Sequence, residues 1–315
     1  MTEKLYTSSI EMVEVSPRDG LQNECEIVST RDKLALIERA IAAGARRIEV
    51  TSFVNPKAVP QMADADAVCE GLPERDDVTY IGLIMNARGA ERALATGRID
   101  QLGAVSVATD TFAHKNQRQT SDESVEIASE IIRTAQVAGR TGQVTIAASF
   151  GCPFEGEVAE QRVIAMAAKL AEARPVEIAL ADTIGVANPA HVTSLVTRVR
   201  EVIAPIPVRV HFHNTRGTGL ANVWAGVLAG ARTVDASIGG LGGCPFAPCA
   251  AGNVATEDVT YMLERAGVST GLELDALIET NRWLTGVMKK DLPAMLGKAG
   301  GFPKSATQEQ KRELA

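Results

Sequence analysis

A (β/α)8 barrel with a C-terminal helical extension is the architecture this sequence predicts, and three observations predict it. Eight short runs rich in Val and Ile recur along the chain. Amphipathic stretches with helical spacing lie between them. Eight such alternations within roughly 260 residues match the length of a parallel barrel. An open doubly wound sheet is the runner-up. A chain of 315 residues fits one large barrel as readily as two ordinary domains. The economical reading is a single catalytic domain over 1–315, with the barrel at about 10–267 and the extension at about 270–315.

The first strand is expected at 12–18 (MVEVSPR), and the clearest helix follows at 31–43. Ser29 and Thr30 supply its cap, Leu34, Ile37 and Ile41 fall on one face, and Gly44 closes it. Strands are expected next at 46–54 (RRIEVTSFV), 78–85 (VTYIGLIM) and 101–109 (QLGAVSVAT). A helix at 122–139 sets Val125, Ile127, Ile131 and Ile132 inside a charged sequence. Four more strands are expected at 143–150, 175–183, 207–214 and 233–241. Most of these runs lack alternation, as strands buried on both faces should. More helix follows from about 270, and the polar end SATQEQKRELA is expected to fray.

Apolar residues make up 45% of the chain and charged residues 23%, which excludes a disordered chain. The net charge of −7 and absence of a basic run argue against nucleic acid or an anionic membrane as partner. Any anionic ligand must then meet locally clustered cations. No window holds 18 unbroken apolar residues, so no membrane span is expected. The start, MTEKLYTSSIEMVEV, lacks the layout of a secretory signal. Five cysteines (Cys25, Cys69, Cys152, Cys244 and Cys249) form an odd, sparse set, which points to reduced thiols and a cytoplasmic protein.

In a parallel barrel, chemistry gathers at the C-terminal ends of the strands. The polar residues expected there are Arg18 and Asp19, Glu49, Asp182 and Thr183, His211 and His213, and the glycine-rich segment 239–253. His211 and His213 are two apart, so a strand turns both imidazoles to one face. They are either core histidines hydrogen-bonded to neighbours or a metal pair. Barrel closure makes strands 7, 8 and 1 contiguous, which brings Asp19, His211, His213 and Asn253 around one point. One carboxylate, two imidazoles and an amide oxygen suit a divalent Lewis acid, with Mg, Mn, Co and Zn all compatible. Arg18 reads as an ion pair with Glu49 or Asp182, as a fixed cation for an oxyanion or enolate, or as both. The 239–253 segment reads either as a long barrel loop or as a lid carrying the Cys244 thiol.

Seven segments then carry a resemblance. VEVSPRDGLQNE, IEVTSFVNPKAVPQMAD, DTFAHKN, GCPFEGEV, ADTIGVANP, HFHNTRGTGLAN and GLGGCPFAPCAAGNVATEDVTYMLE run in order from about residue 10 to 267. Together they resemble the 3-hydroxy-3-methylglutaryl-CoA lyase family of metal-dependent barrel enzymes, with the isopropylmalate synthases as more distant kin. The resemblance implies retro-Claisen cleavage of 3-hydroxy-3-methylglutaryl-CoA to acetoacetate and acetyl-CoA, a step of leucine catabolism. It implies a divalent cation, Mg or Mn foremost, on Asp19, His211, His213 and Asn253. Arg18 would steady the thioester enolate. Glu49 and Asp182 would support the site, with Asp182 a candidate proton carrier and Cys244 the lid thiol. A homodimer or larger assembly is also implied.

Coenzyme A brings phosphate charges that an acidic chain must meet locally. Lys115 with Asn116, and Lys289, Lys290 and Lys298 in the tail, are the candidates; each also reads as a solvated surface residue. Three positions depart from the family pattern. Asn214-Thr215-Arg216 stands where the best-known lyases read Asp-Thr-Tyr, Cys25 where they often carry Lys, and Cys249 where a small residue is usual. Arg216 is either a salt-bridged residue at a helix entry or a reader of a substrate carboxylate. These departures bear on acyl specificity, so a lyase for a related thioester such as citramalyl-CoA stands beside the first reading. A condensing acyltransferase of the isopropylmalate synthase type stands further off, as does a non-catalytic barrel that binds a metal or a CoA ester.

Overall fold

Eight parallel strands follow one another in chain order round a closed barrel. The computed structural model describes residues 7–243 and 252–302. The first half runs β1 (Glu11–Glu14), α1 (Thr30–Ala42), β2 (Arg47–Ser52), α2 (Ala65–Gly71), β3 (Thr79–Ile84), α3 (Ala87–Ala95), β4 (Gln101–Val107), α4 (Asp110–Gln117) and α5 (Ser121–Val137). The second half runs β5 (Thr141–Ala147), α6 (Glu160–Ala171), β6 (Ile178–Asp182), α7 (Pro189–Ile203), β7 (Val208–Phe212), α8 (Gly219–Leu228) and β8 (Thr233–Ala236). Three further helices follow: α9 (Thr256–Arg265), α10 (Leu274–Met288) and α11 (Leu296–Ala299). The expected (β/α)8 barrel is thus the observed fold.

Local chemistry explains where helices start. The Ser29 side chain accepts the Asp32 N–H at the head of α1, and Gly44 takes a φ of 101° just beyond its end. Thr120 and Glu123 form a reciprocal capping box at the head of α5. The apolar faces then bury: Ile37 of α1 and Ile132 of α5 are both fully buried against the outside of the barrel. Truncating either to Ala costs about 2–5 kcal/mol, the usual range for a fully buried branched side chain.

Every strand ends short of its expected range at the mouth, β1 and β8 by the most. β1 stops at Glu14, and Ser16–Gly20 winds into a single π-type turn in which the Gly20 N–H reaches the Val15 carbonyl (3.1 Å). Pro17 lacks the N–H needed to continue a strand ladder. This turn lifts Arg18 and Asp19 off the strand and over the barrel opening, a use to which π-bulges are often put. β8 stops at Ala236 because Gly239 and Gly240 both take positive φ, which no strand accommodates.

The missing alternation also needs correction. Alternation exists, but its polarity is inverted. Val208, Val210 and Phe212 of β7 belong to the apolar layer between strands and helices, whereas Arg209 and His211 face the barrel interior. β6 repeats the pattern, with Ile178 and Leu180 in that layer. Inside the barrel, Val13, Val15 and Ile81 make only a small apolar cluster. Below them Arg47 of β2 hydrogen-bonds across the axis to Gln101 of β4, Gln143 of β5 and Glu177 just before β6. The strands are buried on both faces as expected, but half of that burial is polar.

The C-terminal helices pack along α1 and α9. Glu273 N–H donates to the Ala43 carbonyl (2.8 Å), and the Arg39 guanidinium lies 4.8 Å from the Trp283 ring centroid. Asp258 accepts the backbone N–H groups of Met295 and Leu296 at 2.9 and 2.8 Å, which caps α11. Among the described residues no helix is long and apolar enough to cross a membrane.

Candidate active site

The π-type turn after β1 sets two charges against each other at the barrel mouth. Arg18 Nη1 donates to Asp19 Oδ1 and Nη2 to Glu49 Oε2, both at 2.6 Å. Of the two partners open to Arg18 in the sequence, the structure selects Glu49. Asp182 is elsewhere engaged: its two oxygens accept the N–H groups of Val186 and Ala187 at 2.9 and 3.0 Å. It therefore shapes the loop that follows β6.

β7 delivers the histidines. Their ring centroids are 5.2 Å apart, and His211 Nε2 lies 3.9 Å from Asp19 Oδ2. One ligand atom each from Asp19, His211 and His213 falls within 4.8 Å of the others. Asn253 pairs with His213 through an isolated antiparallel bridge. Its Nδ2 donates to Asp19 Oδ2 (2.7 Å) and to the Leu241 carbonyl (3.0 Å). The four residues expected to surround one point are therefore brought together. Gly242 is part of this contact: with φ of 113°, a Cβ there would sit 2.4 Å from Asn253 Nδ2.

Electrostatics marks the cluster as incomplete by itself. Two carboxylates, Asp19 and Glu49, share the single guanidinium of Arg18. Burial opposes ionisation of Asp19, yet Arg18, the two imidazoles and Asn253 hold its pKa well below the ordinary value. Burial dominates at Glu49 and raises its pKa despite Arg18. Burial, then the neighbouring His211, pushes His213 down to about 4. At His211 burial works against the charged ring, but the Asp235 hydrogen bond and the Asp19 charge prevail and raise its pKa. His213 Nδ1 is buried without a hydrogen-bond partner among the described residues. An orphaned imidazole nitrogen beside a carboxylate and a second imidazole fits a divalent cation in a mixed N/O site.

The remaining candidates are more scattered. Lys115 and Asn116 lie on α4, which leaves the end of β4 at the mouth, and Lys115 Nζ sits 5.0 Å over the Phe154 ring. Lys289 ends α10 in a left-handed conformation. Lys290 is ion-paired with Glu24 at 2.5 Å and Lys298 lies on α11. Among the described residues Arg216 has no salt-bridge partner: its Nη1 donates to the carbonyls of Ile184 and Gly185 at 2.7 and 3.1 Å. Cys244 and Cys249 lie outside the described residues.

Sequence reasoning missed Asp235. It is the Cα partner of His211 in the β7–β8 ladder, and its Oδ2 lies 3.1 Å from His211 Nδ1. The available signal was an acid at the inward position of a strand otherwise read as apolar.

Comparison with known proteins agrees with this geometry. The sequence model of the HMGL-like family matches residues 9–284. The chain is 42% identical to the (R)-citramalyl-CoA lyase of Chloroflexus aurantiacus, covering 93% of this chain and 95% of that protein. It is 39% identical to the hydroxymethylglutaryl-CoA lyase YngG of Bacillus subtilis, covering 92% and 96%. Among solved structures, an HMG-CoA lyase from Acinetobacter baumannii in complex with coenzyme A and 3-methylmalate superposes with a TM-score of 0.90 at 41% identity, covering 98% and 99%. Likeness of this extent, over a barrel whose mouth gathers the same acid and imidazoles that the motifs named, makes the chain a member of the HMGL-like family, in which these relatives are acyl-CoA lyases.

Proposed function

We propose that this protein is a divalent-metal-dependent acyl-CoA lyase that cleaves 3-hydroxy-3-methylglutaryl-CoA to acetoacetate and acetyl-CoA. The observation that carries the reading is the convergence of Asp19, His211 and His213 ligand atoms within 4.8 Å beside the Arg18 guanidinium. Asp19, His211, His213 and Asn253 would hold the cation, Mg or Mn foremost, with Co or Zn compatible. When bound, such an ion supplies Lewis-acid polarisation of substrate oxygens.

The chain's own residues account for the rest. The C3 hydroxyl loses its proton and becomes the new ketone as the C2–C3 bond breaks. The bonding pair passes into the thioester as an enolate, and protonation at C2 then completes acetyl-CoA. Arg18, fixed by Asp19 and Glu49, presents positive charge where the enolate oxygen develops. Glu49 holds that guanidinium in place. Asp182, its pKa raised by burial against the pull of two backbone N–H groups, is the candidate proton carrier. Cys244 is the proposed lid thiol. Lys115, Asn116, Lys289 and Lys290 are the proposed contacts for the coenzyme phosphates. A homodimer or larger assembly is the proposed state.

A second reading is favoured by the 42% identical citramalyl-CoA lyase. The two thioesters differ by one methylene between the carbinol carbon and the carboxylate, so the same chemistry serves both. A panel of 3-hydroxyacyl-CoA thioesters with Mg or Mn tests the choice: acetoacetate release supports the first reading, and pyruvate release from citramalyl-CoA alone replaces it with the second. Release of free coenzyme A only from acetyl-CoA plus a keto acid would instead mark a condensing enzyme. Full cleavage after exhaustive chelation would remove the metal from the mechanism.

A further inference from the structure

The histidine His211 has two nitrogens, and only one of them faces the ligand cluster. Nε2 is turned towards Asp19, while Nδ1 is turned inward to Asp235 at 3.1 Å. Asp235 is 5% exposed and lies opposite His211 in the ladder, so its approach is set by strand register. It has a second fixed neighbour. Arg209, two residues before His211 on the same inward face of β7, places Nη1 3.3 Å from Asp235 Oδ1. Arg209 is held in turn by Thr145 Oγ1 (2.9 Å) and by Glu177 (3.5 Å). Glu177 is gripped by both terminal nitrogens of Arg47, at 2.7 and 3.3 Å. A chain of alternating charge thus climbs from the barrel floor to the back of one imidazole.

We propose that Asp235 is a positioning residue that locks His211 in its Nδ1–H form and so presents a bare Nε2 to the cation, with Arg209 fixing which Asp235 oxygen faces the ring. The proposal rests on the reading that Asp19, His211 and His213 hold a divalent ion. A carboxylate has no hydrogen to give, so the imidazole must donate from Nδ1. The lone pair then sits on Nε2, where a ligand needs it. The Arg209 guanidinium lies beside Asp235 Oδ1 as a fixed positive charge, without a hydrogen bond between them, so it favours an oxygen over an NH2 group at that place.

That last point separates positioning from mere ion pairing. In Asp235→Asn that charge favours the amide oxygen on the Arg209 side, which turns the NH2 group towards the ring. Nδ1 becomes the acceptor and the proton moves to Nε2, against the metal. In Asp235→Ala neither form is enforced. The isosteric change should therefore do more harm than the truncation.

The test uses metal-free protein with histidine-selective 15N labelling. The chain has four histidines, and His211→Gln assigns the signal. At alkaline pH, where neutral rings are observed, wild type should show His211 protonated at Nδ1 and Asp235→Asn should show it protonated at Nε2. Calorimetric titration with Mn should show affinity lowered about 10–100-fold in Asp235→Asn, the usual cost of losing an outer partner of a metal-ligating histidine, and less in Asp235→Ala. Thermal unfolding identifies variants that fold. A wild-type His211 protonated at Nε2, or exchanging between forms, overturns the proposal without any variant. Folded Asp235→Asn with unchanged Mn affinity overturns it as well. Wild type that binds no Mn at all overturns the reading beneath it, and the tautomer measurement still stands apart from that failure.

Discussion

Two charged clusters share the interior of this barrel, one at its floor and one at its mouth, and they are built to different ends. At the floor Arg47 grips Glu177 through both terminal nitrogens and also meets Glu11, Gln101 and Gln143 at 2.7, 2.7 and 3.2 Å. Neither partner of the Arg47–Glu177 pair is left with a buried, unpaired side-chain atom. At the mouth Arg18 divides itself between two carboxylates, and Arg18 Nε and His213 Nδ1 are both buried without hydrogen-bond partners among the described residues. Burying charge is costly unless its hydrogen bonds are complete. The Arg47–Glu177 pair meets that condition from within the chain, and so reads as architecture. The mouth does not, and the groups it leaves unpaired are the ones a cation and a thioester would engage.

The contrast is sharpest where ligands are removed. Asp19→Ala and His213→Ala are expected to abolish thioester cleavage while circular dichroism and thermal unfolding stay near wild type; measurable turnover in either would erase the distinction between the two clusters. Arg18→Gln should lower kcat by about 10²–10³ or more, as loss of one transition-state charge partner does. Normal turnover in that variant would assign Arg18 to the architecture after all. Arg47→Met attacks the floor instead. It leaves Glu177 buried with only the 3.5 Å Arg209 ion pair and no hydrogen bond from Arg47, and should cost about 3–5 kcal/mol in urea unfolding, with Mn affinity little changed. A matching fall in affinity would mean that floor and mouth act as one unit.

The smallest expected effect concerns Glu257, which ties the segment after β8 to α10 through Gly239 N–H and Asn281 Nδ2. Burial pushes its pKa up to about 7 from an ordinary 4.5. A folded pKa above the unfolded one means that the protonated form is favoured in the fold. The stability this contributes is complete below the unfolded value and is lost as pH rises through the folded one. Glu257→Gln should therefore gain on wild type by a few degrees in Tm as pH goes from 5 to 8. A gap that stays constant across that range would show that Glu257 does not titrate there.

The fold was largely legible because its signals are local. Val and Ile runs, the Ser29 cap and the Gly44 stop are read from neighbours a few residues apart. The histidine pair was legible for the same reason, since a spacing of two fixes a shared strand face. Asp19 and Asn253 came within reach through one topological fact, that β8 closes on β1. The HMGL-like motifs placed Arg18 and Glu49 in the same site. Asp235 escaped, because a lone acid in a strand says nothing until register sets it opposite His211. Arg47 and Glu177 escaped too; their pairing spans 130 positions of sequence.

By itself, then, the order of residues determined a closed parallel barrel, a His-x-His strand and the family in which both recur. Periodicity and short-range caps act within a turn or two of chain, and they need no partner from afar. The three-dimensional arrangement alone decided that Glu49, not Asp182, holds Arg18, that a π-type turn raises Asp19 over the opening, and that Asp235 stands behind His211. Those outcomes depend on which strands adjoin and in what register. A buried charge settles on whichever opposite charge the closed barrel brings within hydrogen-bond reach.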